Sequence, residues 1–190
     1  MISNQHFELI FSSYSTEISQ ERRDLFYKKY NEFKNNIPFD VVRFARELGI
    51  SIFGSKDFKD SQSGRIDYDG VTKNYNIYVN ANHSVNRIVF TIAHELGHFF
   101  CDQDYLEKNS FILEDQKMIN SLGRDSAVYD EDLTRREVRA NKFAAELLVP
   151  SDRFKMDWQS TKTVEEIAKI YGVSQETIKY RAANVLGVIL

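Results

Sequence analysis

The sequence of 190 residues is short of cysteine, proline and glycine, with one, two and eight of them respectively. The single cysteine excludes an internal disulfide, and the scarcity of proline and glycine predicts that most of the chain lies in helices and strands. No apolar run approaches the roughly 20 residues that a membrane-spanning helix needs. The first residues show no basic lead before an apolar core, so we expect no signal peptide, no membrane partner and a cytoplasmic location.

A strong excess of either charge is also missing, because the formal net charge is −3. This balance does not indicate a nucleic-acid binder, which usually carries a clear surplus of basic residues. The hydrophobic fraction of 42% and the charged fraction of 28% are typical of a globular protein that buries a core. The length predicts one domain of ordinary size with a small appendage.

Periodic patterns predict an α+β fold. A charged segment with an apolar stripe, about residues 17–36, predicts an amphipathic helix, and FDVVRFARELG predicts a second helix. Residues 50–53, 63–70 and 74–81 predict three strands, of which the last two form an antiparallel hairpin. The acidic stretch 102–134 is expected to be loop, with one short helix around Ile112–Leu122.

The segment FTIAHELGHFF lies in a predicted helix over 85–101 and carries the pattern H-E-x-x-H. Residues four apart share one face of a helix, so His94 and His98 can point their imidazoles at one ion. Glu95 can reach a metal-bound water without occupying a ligand position, which is the arrangement of zinc metallopeptidases with Glu95 as general base. A chance match is disfavoured because the chain contains only four histidines.

A catalytic zinc takes three protein ligands, and the sequence offers several candidates for the third. Asp104 sits at the last position of H-E-x-x-H-x-x-G-x-x-H/D, but Cys101 replaces the glycine of that pattern. Cys101 itself continues the helical stripe, although a small buried side chain is the simpler interpretation. Glu137 lies on a later predicted helix, with Asn141 one turn on to support an imidazole. Glu146 is a weaker candidate, which we expect to be solvated.

The two segments FTIAHELGHFF and EVRANKFAAELLVP together resemble the ImmA/IrrE family of zinc metallopeptidases, and the resemblance covers roughly residues 37–150. It implies a small gluzincin-like core, built from a short, mostly antiparallel sheet, the H-E-x-x-H helix and the helix of the third ligand. It also implies Glu137 as that ligand and one Zn²⁺ per chain. Members typically cleave a helix-turn-helix repressor and so switch on genes for mobile-element transfer, stress responses or phage defence.

This comparison divides the chain into an N-terminal helical extension (1–36), a metallopeptidase domain (37–150) and C-terminal helices (151–190). We expect Glu95 to move the proton during attack on the scissile carbonyl, with an added donor from Tyr129, His83 or Tyr105 at the oxyanion. The second hairpin strand is a candidate sheet edge for an extended substrate. Its residues are Tyr75, Asn76, Ile77, Tyr78, Val79 and Asn80.

The C-terminal segment has the spacing of a helix-turn-helix, with Ala168 in the first helix, Gly172 at the turn and Ile178 in the second. Residues 161–190 carry four basic and three acidic side chains, so their net charge is only +1. DNA contact is therefore not favoured, because phosphate contacts supply much of the affinity of DNA binders. The alternative function is a DNA- or protein-binding regulator whose metal site is structural or vestigial.

Overall fold

The structure is a computed structural model, and it describes residues 5–13, 18–113, 131–160 and 162–188. Its helices are α1 (Gln5–Ser12), α2 (Gln20–Phe33), α3 (Val41–Glu47), α4 (Val85–Cys101), α5 (Gln103–Asn109), α6 (Glu131–Leu148), α7 (Ser151–Trp158), α8 (Val164–Tyr171) and α9 (Gln175–Arg181), followed by a short π-helical turn (Ala182–Leu186). Its strands are β1 (Ser51–Ser55), β2 (Gly64–Asp69), β3 (Asn74–Asn80) and β4 (Phe111–Leu113). The α+β class is confirmed.

The four described strands form one sheet in the order β1-β3-β2-β4. The predicted hairpin is confirmed, since β2 pairs antiparallel with β3 and places Ile66 opposite Ile77. Both isoleucines are fully buried on the face that packs against α4. Strand β1 pairs parallel with β3 on its other side, and β4 pairs antiparallel with β2, so the sheet is mostly antiparallel as expected.

The prediction that Tyr75–Asn80 is a sheet edge is wrong. Strand β3 is central, because Asn76–Asn80 pair with β1 on one side and Asn74–Val79 pair with β2 on the other. Its backbone donors and acceptors are therefore already used, and no extended substrate can add to it. Among the described strands, the outer ones are β1 and β4.

The acidic stretch after α4 contains more regular structure than the sequence predicts. Helix α5 and strand β4 occupy its first part, where we expected loop. The helix predicted around Ile112–Leu122 is wrong at its start, because Phe111–Leu113 is a strand. The rest of that predicted helix lies outside the described residues.

Helices α4 and α6 pack against each other at the centre of the molecule through small residues. A Cβ atom added to Gly97 would lie 2.8 Å from the Cα of Ala140, closer than such atoms approach in folded proteins. Only a glycine on α4 therefore allows the two backbones to come this near. This contact lies beside the two histidines of α4 and brings α6 within reach of them.

Aromatic side chains from the N-terminal extension pack behind these two helices. Phe7 on α1 and Phe26 on α2 have ring centroids 4.6 Å apart, and both rings contact Phe143 of α6. Phe26 also meets Phe100 of α4 edge to face at 5.1 Å. The extension thus belongs to the same buried cluster as residues 37–150. The three-part division of the chain stays a prediction.

The C-terminal helices α8 and α9 have the expected helix-turn-helix geometry. Gly172 adopts a φ of +65° at the turn, a conformation that favours glycine. Ile167, Val173 and Ile178 are buried between the two helices and the rest of the chain. The apolar packing predicted for this pair is therefore present.

Candidate metal centre

Helix α4 presents its two histidines as the i, i+4 spacing predicts. His94 and His98 are both fully buried, and their Nε2 atoms lie 3.0 Å apart. Their rings are nearly perpendicular, with centroids 4.7 Å apart. Two buried polar rings on an otherwise apolar helix need partners, and the partners come from α6 and from the end of α4.

Glu137 on α6 meets both imidazoles. Its Oε2 lies 3.1 Å from Nε2 of His94, and its Oε1 lies 3.3 Å from Nε2 of His98. One ligand atom from each of the three residues lies within 4.8 Å of the other two, and this is the one such group of histidine, cysteine and acidic side chains among the described residues. The structure therefore brings together the two histidines of the H-E-x-x-H pattern and the carboxylate that the resemblance implies as third ligand.

The far side of each imidazole is held by a hydrogen-bond acceptor. Nδ1 of His94 lies 2.9 Å from Oδ1 of Asn141, and Nδ1 of His98 lies 2.9 Å from Oδ2 of Asp102. Each Nδ1–H donates to its oxygen, so each Nε2 carries a lone pair when the ring is neutral. Two nitrogen lone pairs and a carboxylate then converge on one buried point, which fits a divalent cation such as Zn²⁺.

The electrostatics of the group point the same way. Burial alone would lower the pKa of His98, but the carboxylates of Glu137 and Asp102 outweigh it and hold the pKa of His98 well above its usual range. Burial alone would raise the pKa of Glu137, but the two imidazoles outweigh it and hold the pKa of Glu137 below its usual range. A site that attracts a proton so strongly attracts a metal cation for the same reason.

Asp102 is a site residue that the sequence analysis missed. It is buried at the C-terminal cap of α4, one helical turn beyond His98. Its second oxygen, Oδ1, accepts hydrogen bonds from Arg139 and, at 3.3 Å, from Arg136. Burial alone would raise the pKa of Asp102, but His98 and the two arginines outweigh burial and hold the pKa below its usual range. The carboxyl is therefore ionised. The i, i+4 spacing from His98 was the available signal.

Glu95 follows His94 on α4 and is also buried. Its carboxylate faces the first residue of β2, because a Cβ added to Gly64 would lie 3.7 Å from Oε1 of Glu95. The same added atom would lie 2.5 Å from Thr91 and 2.6 Å from the carbonyl oxygen of Tyr78. A glycine at this position therefore leaves room between the sheet and the helix beside Glu95.

The other candidates for the third ligand lie elsewhere. Asp104 is exposed on α5, and Cys101 is buried in the hydrophobic cluster rather than in the metal group. Glu146 was expected to be solvated, and this expectation is wrong. It is buried and accepts hydrogen bonds from Arg181 at 2.7 Å and from the hydroxyl of Ser151 at 2.6 Å.

The three candidates for an oxyanion donor remain unassigned. His83 lies near the side chain of Asn80 and the carbonyl oxygen of Asp60, both at 3.4 Å from its Nε2. Tyr105 lies under the guanidinium of Arg136, 4.2 Å from its ring centroid. Tyr129 lies outside the described residues.

Comparison with known families decides what kind of protein carries this group. The model of the IrrE N-terminal-like domain, Peptidase_M78, matches residues 45–183, which is most of the chain. The chain belongs to this family. The resemblance to the ImmA/IrrE family is thereby confirmed. The buried group of His94, His98 and Glu137 is compatible with the metal ion of such a peptidase.

Among solved structures, this Peptidase_M78 member resembles a Mycobacterium tuberculosis transcriptional regulator, with a TM-score of 0.54 and 17% sequence identity. The match covers 96% of this chain and 52% of the other, so the chain spans about half the length of that regulator. At this identity the likeness shows the fold alone. The search of curated proteins found no match. No helix in the described part of the chain is both long and apolar enough to cross a membrane.

Proposed function

We propose that the chain is a zinc-dependent endopeptidase that binds one Zn²⁺ through His94, His98 and Glu137. The observation that carries this proposal is the convergence of two imidazole Nε2 atoms and a carboxylate at 3.0–3.3 Å. Each imidazole is held from behind in the tautomer that leaves Nε2 available. Three such ligands with an open fourth position are typical of a catalytic zinc site.

In this mechanism Glu95 is the general base, and Asn141 orients His94. Zn²⁺ in the site would supply a Lewis acid that acidifies a water molecule and polarises the scissile carbonyl. Glu95 takes the proton from that water as its oxygen attacks the carbonyl carbon, and then delivers the proton to the leaving amine. The burial of Glu95 on the same helix as the histidines suits this role, because a carboxylate shielded from bulk water holds the proton between the two steps.

The proposed substrate is a helix-turn-helix transcriptional repressor, whose cleavage would derepress genes of a mobile element, a stress response or phage defence. Membership in Peptidase_M78 supports this proposal, and the solved structure with a similar fold is itself a transcriptional regulator. We propose a cytoplasmic location, where such a repressor acts. The substrate does not add to β3, since both sides of that strand are paired.

The alternative is a regulator that binds DNA or protein and keeps its metal group only for structure. The C-terminal helices give little support to DNA binding, because two of the four basic residues within 161–190 are already engaged. Arg181 is buried against Glu146, and Lys169 pairs with Glu165 at 2.7 Å. A structural site also has no need for a buried Glu95 beside the ligands.

The Glu95→Gln variant tests the proposal. It removes the base without removing a ligand, so we expect about one zinc per chain in the variant and cleavage reduced by at least about 100-fold. The measurement is mass spectrometry of a helix-turn-helix protein encoded beside this gene, incubated with the zinc-loaded enzyme. Glu165→Gln, on an exposed surface of α8, is the matched control and should cleave as the wild type does. Cleavage by Glu95→Gln at the wild-type rate would refute the assigned role of Glu95. A wild-type protein that binds one zinc per chain but cleaves no such repressor would favour the alternative function.

A further inference from the structure

We infer that Asp102 is a positioning residue that fixes His98 and Glu137 relative to each other. This inference rests on the proposed zinc site and adds a residue to it. The carboxylate of Asp102 has two oxygens with different partners, one on the metal-binding helix α4 and one on the third-ligand helix α6. It therefore links a proposed ligand on α4 to two arginines on α6.

The first oxygen orients the imidazole of His98. Oδ2 of Asp102 lies 2.9 Å from Nδ1 of His98, and both side chains are fully buried. An acceptor at this distance fixes the ring rotation and the tautomer, and so directs the Nε2 lone pair at the metal position. A carboxylate also increases the electron-donating power of the imidazole more than a neutral acceptor does.

The second oxygen anchors α6. Oδ1 of Asp102 accepts from Arg139 and from Arg136, and these two arginines flank Glu137 in the sequence. The contacts form a ring: His98 contacts Asp102, Asp102 contacts the arginines of α6, and Glu137 on the same helix contacts His98. Because Asp102 contacts both helices, a displacement of Asp102 shifts His98 and Glu137 together.

A purely structural ion pair would explain only half of this arrangement. The contact of Asp102 with Arg139 alone would dock α6 on the end of α4, since Arg139 also donates to the backbone oxygen of Cys101. Docking of this kind leaves Oδ2 with no need to face the imidazole. The commitment of Oδ2 to His98 is what makes Asp102 part of the metal geometry.

The test compares Asp102→Asn with Asp157→Asn. Asp157 is a matched control, because it is largely buried and pairs with Arg153 and with the hydroxyl of Tyr171, away from the zinc position. We expect Asp102→Asn to raise the zinc dissociation constant by about 10- to 100-fold, the usual effect of removing such a partner. Asp157→Asn should leave the constant unchanged. The measurement is competition with a chromophoric chelator, with the melting temperature of each metal-free variant recorded beside it.

Two results separate the possible failures. Suppose that the wild type binds zinc and that Asp102→Asn binds zinc equally well but has a lower melting temperature. Asp102 is then only structural, and the inference is overturned. If the wild type binds no zinc, the proposed function and the inference fall together. Loss of zinc in His98→Ala with retention in the wild type supports the site itself, independently of Asp102.

A measurement on the unaltered chain covers the case in which Asp102→Asn does not fold. In the zinc-loaded wild type, nitrogen-15 NMR of the histidine side chains should show a proton on Nδ1 of His98 that exchanges slowly with water. A buried hydrogen bond to a carboxylate protects this proton. A rapidly exchanging proton, or zinc bound through Nδ1, would overturn the inference without any variant.

Discussion

Helix α6 buries two glutamates, and the partners of the two could hardly differ more. Glu137 faces imidazole nitrogens at 3.1 and 3.3 Å, groups that become acceptors when the rings are neutral. Glu146, further along the same helix, faces only donors: the guanidinium of Arg181, and the backbone N–H and hydroxyl of Ser151. Both carboxylates are largely buried, yet within the described part of the chain only Glu146 pairs with an arginine.

This difference shows that burial of a carboxylate does not by itself indicate a site. The identity of the partners does, because a charge that is fully matched by donors needs nothing more. A carboxylate that shares its position with two imidazoles lacks a cation unless a proton or a metal enters. Glu146 therefore holds α9 against α6 through Arg181, whereas the position of Glu137 is compatible with binding a metal cation.

Replacing Glu137 should produce the largest effect. In Glu137→Gln we expect zinc affinity to fall by more than about 100-fold, since loss of an outer partner alone costs 10- to 100-fold. Cleavage should be lost with the metal. Chelator competition measures the affinity, and Glu146→Gln is the control that should bind zinc as the wild type does. Equal zinc affinity in the two variants would remove the distinction between the glutamates.

Replacing Glu146 should reduce stability instead. Glu146→Gln leaves the buried guanidinium of Arg181 without its carboxylate, and breaking such a pair costs about 3 kcal/mol in the free energy of unfolding. Urea unfolding of the metal-free protein measures this value. A loss of under about 0.5 kcal/mol would show that the ion pair does not fasten α9 to α6.

The close contact between α4 and α6 allows an intermediate test. In Gly97→Ala the new methyl group meets the backbone of Ala140, so we expect a loss of about 1–3 kcal/mol from overpacking and weaker zinc binding as Glu137 moves away. Gly70→Ala is the control, because a Cβ there meets no atom within 4 Å. Stability and zinc affinity that stay at wild-type values in Gly97→Ala would mean that the helices can separate freely.

The smallest expected effect is a dependence of zinc affinity on pH, which arises from His98 beside Glu137. The raised pKa of His98 means that the metal-free site holds a proton near neutral pH, and zinc must displace it. Zinc affinity should therefore rise with pH, by about tenfold per unit below the pKa of His98. Calorimetric titrations in two buffers of different ionisation enthalpy should show about one proton released per zinc.

The local features of the fold and of the site were predictable from the sequence. The spacing of His94 and His98 follows from helical geometry, and the hairpin follows from alternation within two neighbouring segments. The segment around Glu137 gave the third member of the group, and Asn141 lies against His94 as expected. Their roles in catalysis stay predictions until zinc and cleavage are measured.

The features that depend on distant partners were not predictable. Strand β3 was expected at an edge because β1, a separate segment with a parallel pairing, leaves no mark in the alternation of β3 itself. Glu146 was expected in water because its partner Arg181 lies on another helix. Asp102 lies one turn beyond His98, but this spacing alone does not show that its other oxygen accepts from the arginines of α6.

The aromatic cluster behind α4 and α6 has a practical consequence for anyone who shortens this chain. The family match begins at residue 45, after α1 and α2. A protein cut at that boundary would retain every proposed ligand but would uncover the rings of Phe100 and Phe143, which Phe7 and Phe26 now shield from water. Such a fragment would expose an aggregation-prone apolar surface directly behind its proposed metal site. The limits of the recognisable family domain are therefore narrower than the limits of the unit that should be expressed.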